Sequence, residues 1–326
     1  MPALVILDAA NIDNIRGLVS GADVSVIAAQ NLNIEGGTIA AQNRLIASAG
    51  NDLSLKSSTA DLDVRMSGTA NYVQSRVIDR VAGLYVGNAG GILQLAAAGN
   101  ITLNAAQLQS AGTTRIDAGG ELALGTVAQT GNSYARTSKS WRKEQWSTDV
   151  GSTIASTGAI TLTSGSDLPA RAASVSSTDG ALTVIAERDI HIDAGQADYA
   201  SQAYRKNSKS GVASKSTSTH RDNLNTQTAI ASTFSGDTLT LAAGQDLRIT
   251  GSDLVATGDL TARAGRDITI ESAQETRSET RYTKKKQSGI GSSGGASIAV
   301  GTRKASSNLD TQTTTAAAST LGSLEG

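Results

Sequence analysis

Residues 237–270 read DTLTLAAGQDLRITGSDLVATGDLTARAGRDITI, and their spacing decides the fold. Four apolar-x-apolar triplets occupy the stretch: Leu239-Thr240-Leu241, Leu247-Arg248-Ile249, Leu260-Thr261-Ala262 and Ile268-Thr269-Ile270. Within each pair the triplets start 8 residues apart, and the pair recurs after 21. Alternate side chains of a strand face opposite ways, so each triplet buries its outer two residues and shows its polar middle one to water. A weaker apolar position, Leu254, follows the second triplet by 7 residues. Three short strands per ~21 residues make one turn of a three-sided coil, and successive coils stack in parallel at ~4.8 Å. The apolar period of two within each segment excludes a coiled coil or helical repeat.

The same grid covers most of the chain. Triplets start at Val24, Leu32, Leu45 and Leu53, and again at Leu93, Ile101, Thr114 and Leu122, with third positions at Ile39, Leu108 and Val175. Between 160 and 192 the spacing is 22, a one-residue insertion at a corner. The predicted fold class is all-β: a right-handed parallel β-solenoid (a three-sided β-helix of ~21-residue coils), its hand taken from the general crossover preference. A longer period overlies this one. Gly158–Gly211 aligns with Gly236–Gly289 at an offset of 78, placing Tyr204 on Tyr282. The expectation is one array over 1–326, in two-coil units at about 24–90, 91–157, 158–235 and 236–318. Each unit ends in a lateral excursion, at about 66–90, 129–157, 196–235 and 275–318. Eight or nine coils at ~4.8 Å predict a rod about 40 Å long.

Composition agrees with a narrow core. Aromatic residues are 3% of the 326, with one Phe, while Gly numbers 34. Two prolines leave no Pro-rich linker, and the absence of cysteine excludes disulfides, Cys-zinc sites and thiol catalysis. A net charge of −1 gives no global instruction about partners. The start, MPALVILDAANIDN, lacks a basic region followed by an apolar run, so if the protein is secreted the chain is expected to be an internal piece of something longer.

The excursions carry more than half of the Lys and Arg residues. Glu275, Arg277, Glu279 and Arg281 alternate with Thr276, Ser278, Thr280 and Tyr282, which predicts an exposed strand with a Glu/Arg ladder in a long hairpin whose tip is Gly289–Gly295. Counterparts are Tyr134–Lys139, with Trp141 and Trp146 nearby, and Tyr204–Lys209. The first excursion, around Tyr72–Val81, is more apolar and is expected to pack closer. The functional reading is a row of basic fins for an anionic surface. Its candidate contacts are Arg136, Lys139, Arg142, Lys143, Arg205, Lys206, Lys209, Arg277, Arg281, Lys284, Lys285 and Lys286. The competing reading is solubility, since charged edges block sheet-to-sheet aggregation.

Catalytic chemistry is sparse. Asp52, Asp167, Asp189, Asp246 and Asp267 share one corner, with Gly50, Gly165, Gly244 and Gly265 just before four of them, and Asn31 and Asn100 take the same register. That pattern reads as a turn, with Gly at positive φ and Asp bonding the local backbone, rather than as a carboxylate site. His191 and His220 form no metal pair. No nucleophile elbow, zinc-protease, P-loop or dinucleotide motif occurs, so no catalytic residue, cofactor or metal is expected. Lys284–Lys286 without an aromatic platform or recognition helix does not indicate nucleic acid.

The units TGDLTARAGRDITIESAQ (257–274) and SGDTLTLAAGQDLRITGSDL (235–254) resemble the filamentous hemagglutinin repeats of two-partner secretion exoproteins. Paired coils followed by a Ser/Lys-rich segment, together with RVIDRVAGLY at 76–85, are similar to the hemagglutinin-repeat region of contact-dependent growth inhibition (CdiA-type) proteins. The resemblance covers nearly the whole chain and implies a stalk segment of a secreted, surface-displayed exoprotein that helps deliver a C-terminal toxin to a neighbouring cell. Its implied partners are an outer-membrane TpsB-type transporter and the target-cell surface (outer membrane, lipopolysaccharide or glycan). An adhesin filament is the alternative, and a β-helix polysaccharide hydrolase or lyase a remote one. Cut strand edges at both ends predict end-to-end self-association.

Overall fold

The structure, a computed structural model, describes residues 3–292 and 298–324. Every regular element among them is a strand. Nine coils wind into a parallel β-helix whose three faces each carry nine strands in parallel register. The first face runs from Leu4–Ala9 through 23–28 and 44–49 to Leu260–Ala264. The second runs from Ile12–Ile15 to Ile268–Glu271, and the third from 18–21 to Thr320–Ser323. Like stacks on like: Leu32, Leu53, Ile101, Leu122, Leu168, Ile190 and Leu247 form one fully buried column on the second face. Thr114 is the polar residue in the first-face column, and Ser156 Oγ, 2.5 Å away, satisfies its hydroxyl. Ile268 and Ile270 of the ninth coil are half exposed, because no coil covers them.

The corner between the second and third faces takes two forms. Five coils close it with one residue in the left-handed region: Arg16, Gly36, Ala105, Ala172 and Gly251, at φ between 47° and 58°. In the other four the chain leaves at this corner as an antiparallel hairpin. The hairpins are Ser58–Arg65 with Tyr72–Arg80, Val127–Arg136 with Ser140–Val150, Gly195–Ser210 with Ser214–Ile230, and Ala273–Ser292 with Ile298–Ala317. Ser58 lies well before the expected start near 66, and the stretches expected as excursions at 66–90, 129–157 and 196–235 end in third-face strands of the solenoid (Gly83–Val86, Thr153–Ser156 and Thr233–Gly236). The tip expected at 289–295 lies partly outside the described residues.

The four hairpins are not separate fins. They pair edge to edge into one eight-stranded antiparallel sheet. A hairpin is two strands, ~9.6 Å across, and two coils rise ~9.6 Å along the axis. One hairpin every second coil therefore keeps fin and core in step, which is the physical content of the long repeat.

Two details of the first corner differ from the turn reading. Its glycines do not adopt positive φ: a Cβ at Gly244 would stand 2.0 Å from Glu187 O, and one at Gly165 would stand 2.1 Å from Gly119 O. Close stacking of coils, not left-handed backbone, demands glycine. The acids bond not their own turn but the next coil. Asp52 Oδ1 accepts from Asn100 N (2.7 Å), Asp189 Oδ1 from Asp246 N (2.9 Å) and Asp246 Oδ1 from Asp267 N (3.2 Å). Asn31 Oδ1 and Asn100 Oδ1 do the same for Asp52 N and Glu121 N. An acceptor oxygen is all the position needs, so Asn and Asp interchange.

Candidate functional site

The fin is the part of the molecule that the core does not explain. Backbone pairing fixes which of its side chains share a face, because residues directly opposite in an antiparallel pair project the same way. On one face a single residue from each of seven strands joins a ladder: Arg65, Tyr72, Tyr134, Trp141, Tyr204, Arg221 and Tyr282. Ring centroids lie 6.1 Å (Tyr72–Tyr134), 6.4 Å (Tyr134–Trp141) and 6.3 Å (Trp141–Tyr204) apart, with planes 16–32° from parallel. The Arg221 guanidinium sits between Tyr204 and Tyr282, 5.9 and 5.8 Å from the two centroids, and Arg65 caps Tyr72 at 6.0 Å. The rings face one another along the sheet and turn their edges to solvent.

The twelve candidate basic residues divide between the two faces. Arg136, Lys143, Lys206, Lys284 and Lys286 lie on the ladder face, by their pairing with Trp141, Tyr134, Thr219 and Thr217. Arg142, Arg205, Lys209, Arg277, Arg281 and Lys285 lie on the opposite face. Lys139 occupies the turn between Arg136 and Ser140. Both faces pair arginines with carboxylates: on the ladder face Arg65 with Asp63 at 3.2 Å and Arg76 with Asp61 at 2.8 Å. Opposite the ladder, Arg142 pairs with Glu144 at 2.6 Å, Arg277 with Glu279 at 3.0 Å, and Arg281 with Glu279 at 2.8 Å and with Asp222 at 3.6 Å. Tyr199 Oη donates to Glu144 (2.6 Å) in the same network. On the ladder face, the carboxylates Asp61, Asp63, Asp149, Asp198 and Asp310 stand level with the ladder or nearer the solenoid. Arg76 holds the Asp61 carboxyl below its ordinary range by a side-chain hydrogen bond. Outward of the ladder both faces are basic and carry no carboxylate among the described residues: Lys206, Lys215, Lys284, Lys286 and Lys304 on the ladder face, and Arg205, Lys209, Lys285 and Arg303 on the other.

Sequence reasoning found Tyr134, Trp141, Tyr204 and Tyr282 but not their row. The signal was present in the 78-residue match of Tyr204 to Tyr282, whereas Arg221 carries no local mark. The first hairpin does not tuck against the core: Leu62, Val64 and Val73 are about half exposed, at 51%, 49% and 49%. The corner acids are occupied, Asp167 by Arg188 and Asp246 by Arg266, each at 2.6 Å. No group of three metal-ligating side chains exists among the described residues.

A stacked parallel β-helix with one decorated edge defines the class: a repetitive scaffold protein. The hemagglutinin repeat family matches residues 132–217 and 211–326, more than half of the chain, and the chain belongs to that family. It is 30% identical over 326 residues (93% of this chain) to the tRNA nuclease CdiA of Escherichia coli strain STEC_O31, and 25% identical over 265 residues (79%) to the tRNA nuclease CdiA-2 of Burkholderia pseudomallei strain 1026b. Over 146 residues (44%) it is 33% identical to the 16S rRNA endonuclease CdiA of Enterobacter cloacae. It spans only 9%, 8% and 4% of the lengths of those three proteins. No solved structure matches. The chain is a hemagglutinin-repeat segment similar to segments of CdiA proteins, and membership implies a secreted or surface-exposed protein.

Proposed function

We propose that this segment is a non-catalytic stalk, one continuous array without separate domains, in an exoprotein that carries a toxin to a neighbouring cell. One observation supports this most: the relatives that share the segment are named for different activities, tRNA cleavage in two and 16S rRNA cleavage in another. A part common to proteins of different activity is not the part that sets the activity. The two-partner secretion context adds an outer-membrane TpsB-type transporter as export partner and the outer surface of the producing cell as location, with the target-cell surface as the other contact. In this reading the solenoid supplies length and rigidity, and the fin's basic residues meet the anionic target surface.

The test uses the purified chain with tRNA, 16S rRNA and duplex DNA as substrates. No cleavage of any of them is expected, and small-angle scattering should give a flat, extended particle, with a solenoid about 40 Å long and its longest hairpin strands reaching about 65 Å. Cleavage that survives repurification, or a compact globular profile, overturns the stalk reading.

A further inference from the structure

The eight-stranded fin sheet has two edges, and they are unlike. One is Ser58–Arg65, which is short, slips register at Ser58/Thr59 and carries Asp61, Asp63 and Arg65 at alternate positions. Shortness, irregularity and charge are how native sheets keep an edge from pairing. The other edge is Ile298–Ala317, 20 residues in unbroken register with Ala273–Ser292 and without a proline. Its far row of backbone N–H and C=O groups meets no strand among the described residues. The molecule holds a precedent for filling such a row. The returning arm of the third hairpin reads NLNTQT at 223–228, matching NLDTQT at 308–313, and along its outer edge it takes strand 276–289 antiparallel.

The geometry points to the Ile298–Ala317 edge as a self-pairing interface, joined antiparallel to the same edge of a second copy about a two-fold axis through Ser307. The strand's own charge pattern selects that partner. Lys304 and Asp310 flank Ser307 symmetrically, so the pairing sets Lys304 of each copy directly opposite Asp310 of the other. Both project from the ladder face, and an axis normal to the sheet keeps that face on the same side in the two copies. Within the chain Lys304 stands opposite a like charge, Lys286, while Asp310 stands opposite Thr280. Opposite charges across strands stabilise and like charges destabilise, so the second copy supplies what Lys304 lacks. On the other face the same register lays Leu309, 56% exposed, over Ala305 of the second copy. A two-fold contact consumes its surface and closes at the dimer, whereas stacking of solenoid ends is head-to-tail and open-ended.

Sedimentation of the purified chain over a concentration series should show a monomer–dimer equilibrium that stops at the dimer. Lys304→Glu alone sets carboxylates against each other across the axis, and Asp310→Lys alone does the same with ammonium groups. Each should weaken the dimer about tenfold. The two substitutions together restore opposite charges and should return the dissociation constant to within about threefold of the parent's. All positions concerned are solvent-exposed, so circular dichroism should stay that of the parent. Since the chain has no cysteine, Ser307→Cys and Thr315→Cys each introduce a single thiol. Thiols at 307 meet at the axis and should be joined by a short bismaleimide; those at 315, about 54 Å apart, should not. A chain that stays monomeric at every concentration, oligomers that grow past the dimer, a double variant as weak as the single ones, or equal cross-linking at 307 and 315 would each overturn the proposal.

Discussion

Ser232 is fully buried at the root of the third hairpin. Its Oγ donates to Asp193 O (2.7 Å) and accepts from Ala173 N (3.0 Å), bridging two coils where the chain returns from the fin. Ser152 and Ser319 occupy the equivalent exits, with Oγ donating to Leu103 O (2.8 Å) and Glu271 O (2.6 Å). Ser232→Ala would leave the buried Ala173 N–H without a partner, while Asp193 O keeps the bond from Ala172 N (3.2 Å), and should destabilise by about 1–3 kcal/mol, read as a lower guanidinium midpoint. Ala172 predicts the opposite sign. It holds φ 47°, a conformation that costs a non-glycine residue ~1–2 kcal/mol. Ala172→Gly should therefore stabilise by about 0.5–1 kcal/mol, read as a higher midpoint, after the added chain entropy of glycine is subtracted. At this scale the sequence is partly readable. The recurrence of small-Ser-Thr-apolar at Gly151–Ile154, Ala231–Phe234 and Ala318–Leu321 marks the exits once their position is known. Nothing local tells that Asp246 bonds the coil above, because the partner is 21 residues away.

Elements were legible in proportion to how strongly their burial alternates. Triplets such as Leu93-Gln94-Leu95 are buried, half-buried, buried in the structure, and they fixed the core columns from spacing alone. The first coil escaped because its second-face strand, Ile12–Ile15, turns Asn14 inward where an apolar residue is expected, and so lacks the triplet. The hairpin strands alternate only in polar character, so their joining into one sheet left no apolar trace. What pins them is the ladder, since cross-strand aromatic pairs add about 0.5–1.5 kcal/mol each beyond their burial. Trp141→Ala removes two ring contacts and opens the junction between the second and third hairpins. Hydrogen exchange should then accelerate across 140–150 and 195–210, while core strands such as Ile190–Asp193 keep their protection. Equal acceleration in core and fin would mean that the ladder does not hold the sheet.

At the scale of the whole molecule, fin and solenoid are two strand stacks growing along one axis, and they stay in register only if their steps agree. The 78-residue repeat was visible in the sequence, but its reason was not, since the match between two coils and one hairpin exists only when strands are placed in space. That match makes removal of different lengths inequivalent. Deleting residues 158–235 takes out two coils and one hairpin together. It stacks Leu239 on Thr114, brings Tyr282 opposite Trp141 in place of Tyr204, and should leave a shorter protein that melts cooperatively with its fin intact. Deleting residues 239–259 removes a single coil and suits the core equally well, because Leu260 then stacks on Leu182 in the same column. The fin, however, now has ~4.8 Å of rise for a hairpin that needs ~9.6 Å. Strand 273–292 cannot stay beside 214–230, and the last hairpin must shear out of the sheet. The expected outcome is unchanged protection of the core strands with loss of protection over 214–230 and 273–292, read by hydrogen exchange. If the single-coil deletion keeps the fin as well protected as the two-coil deletion does, matched rise is not what sets the spacing of the hairpins.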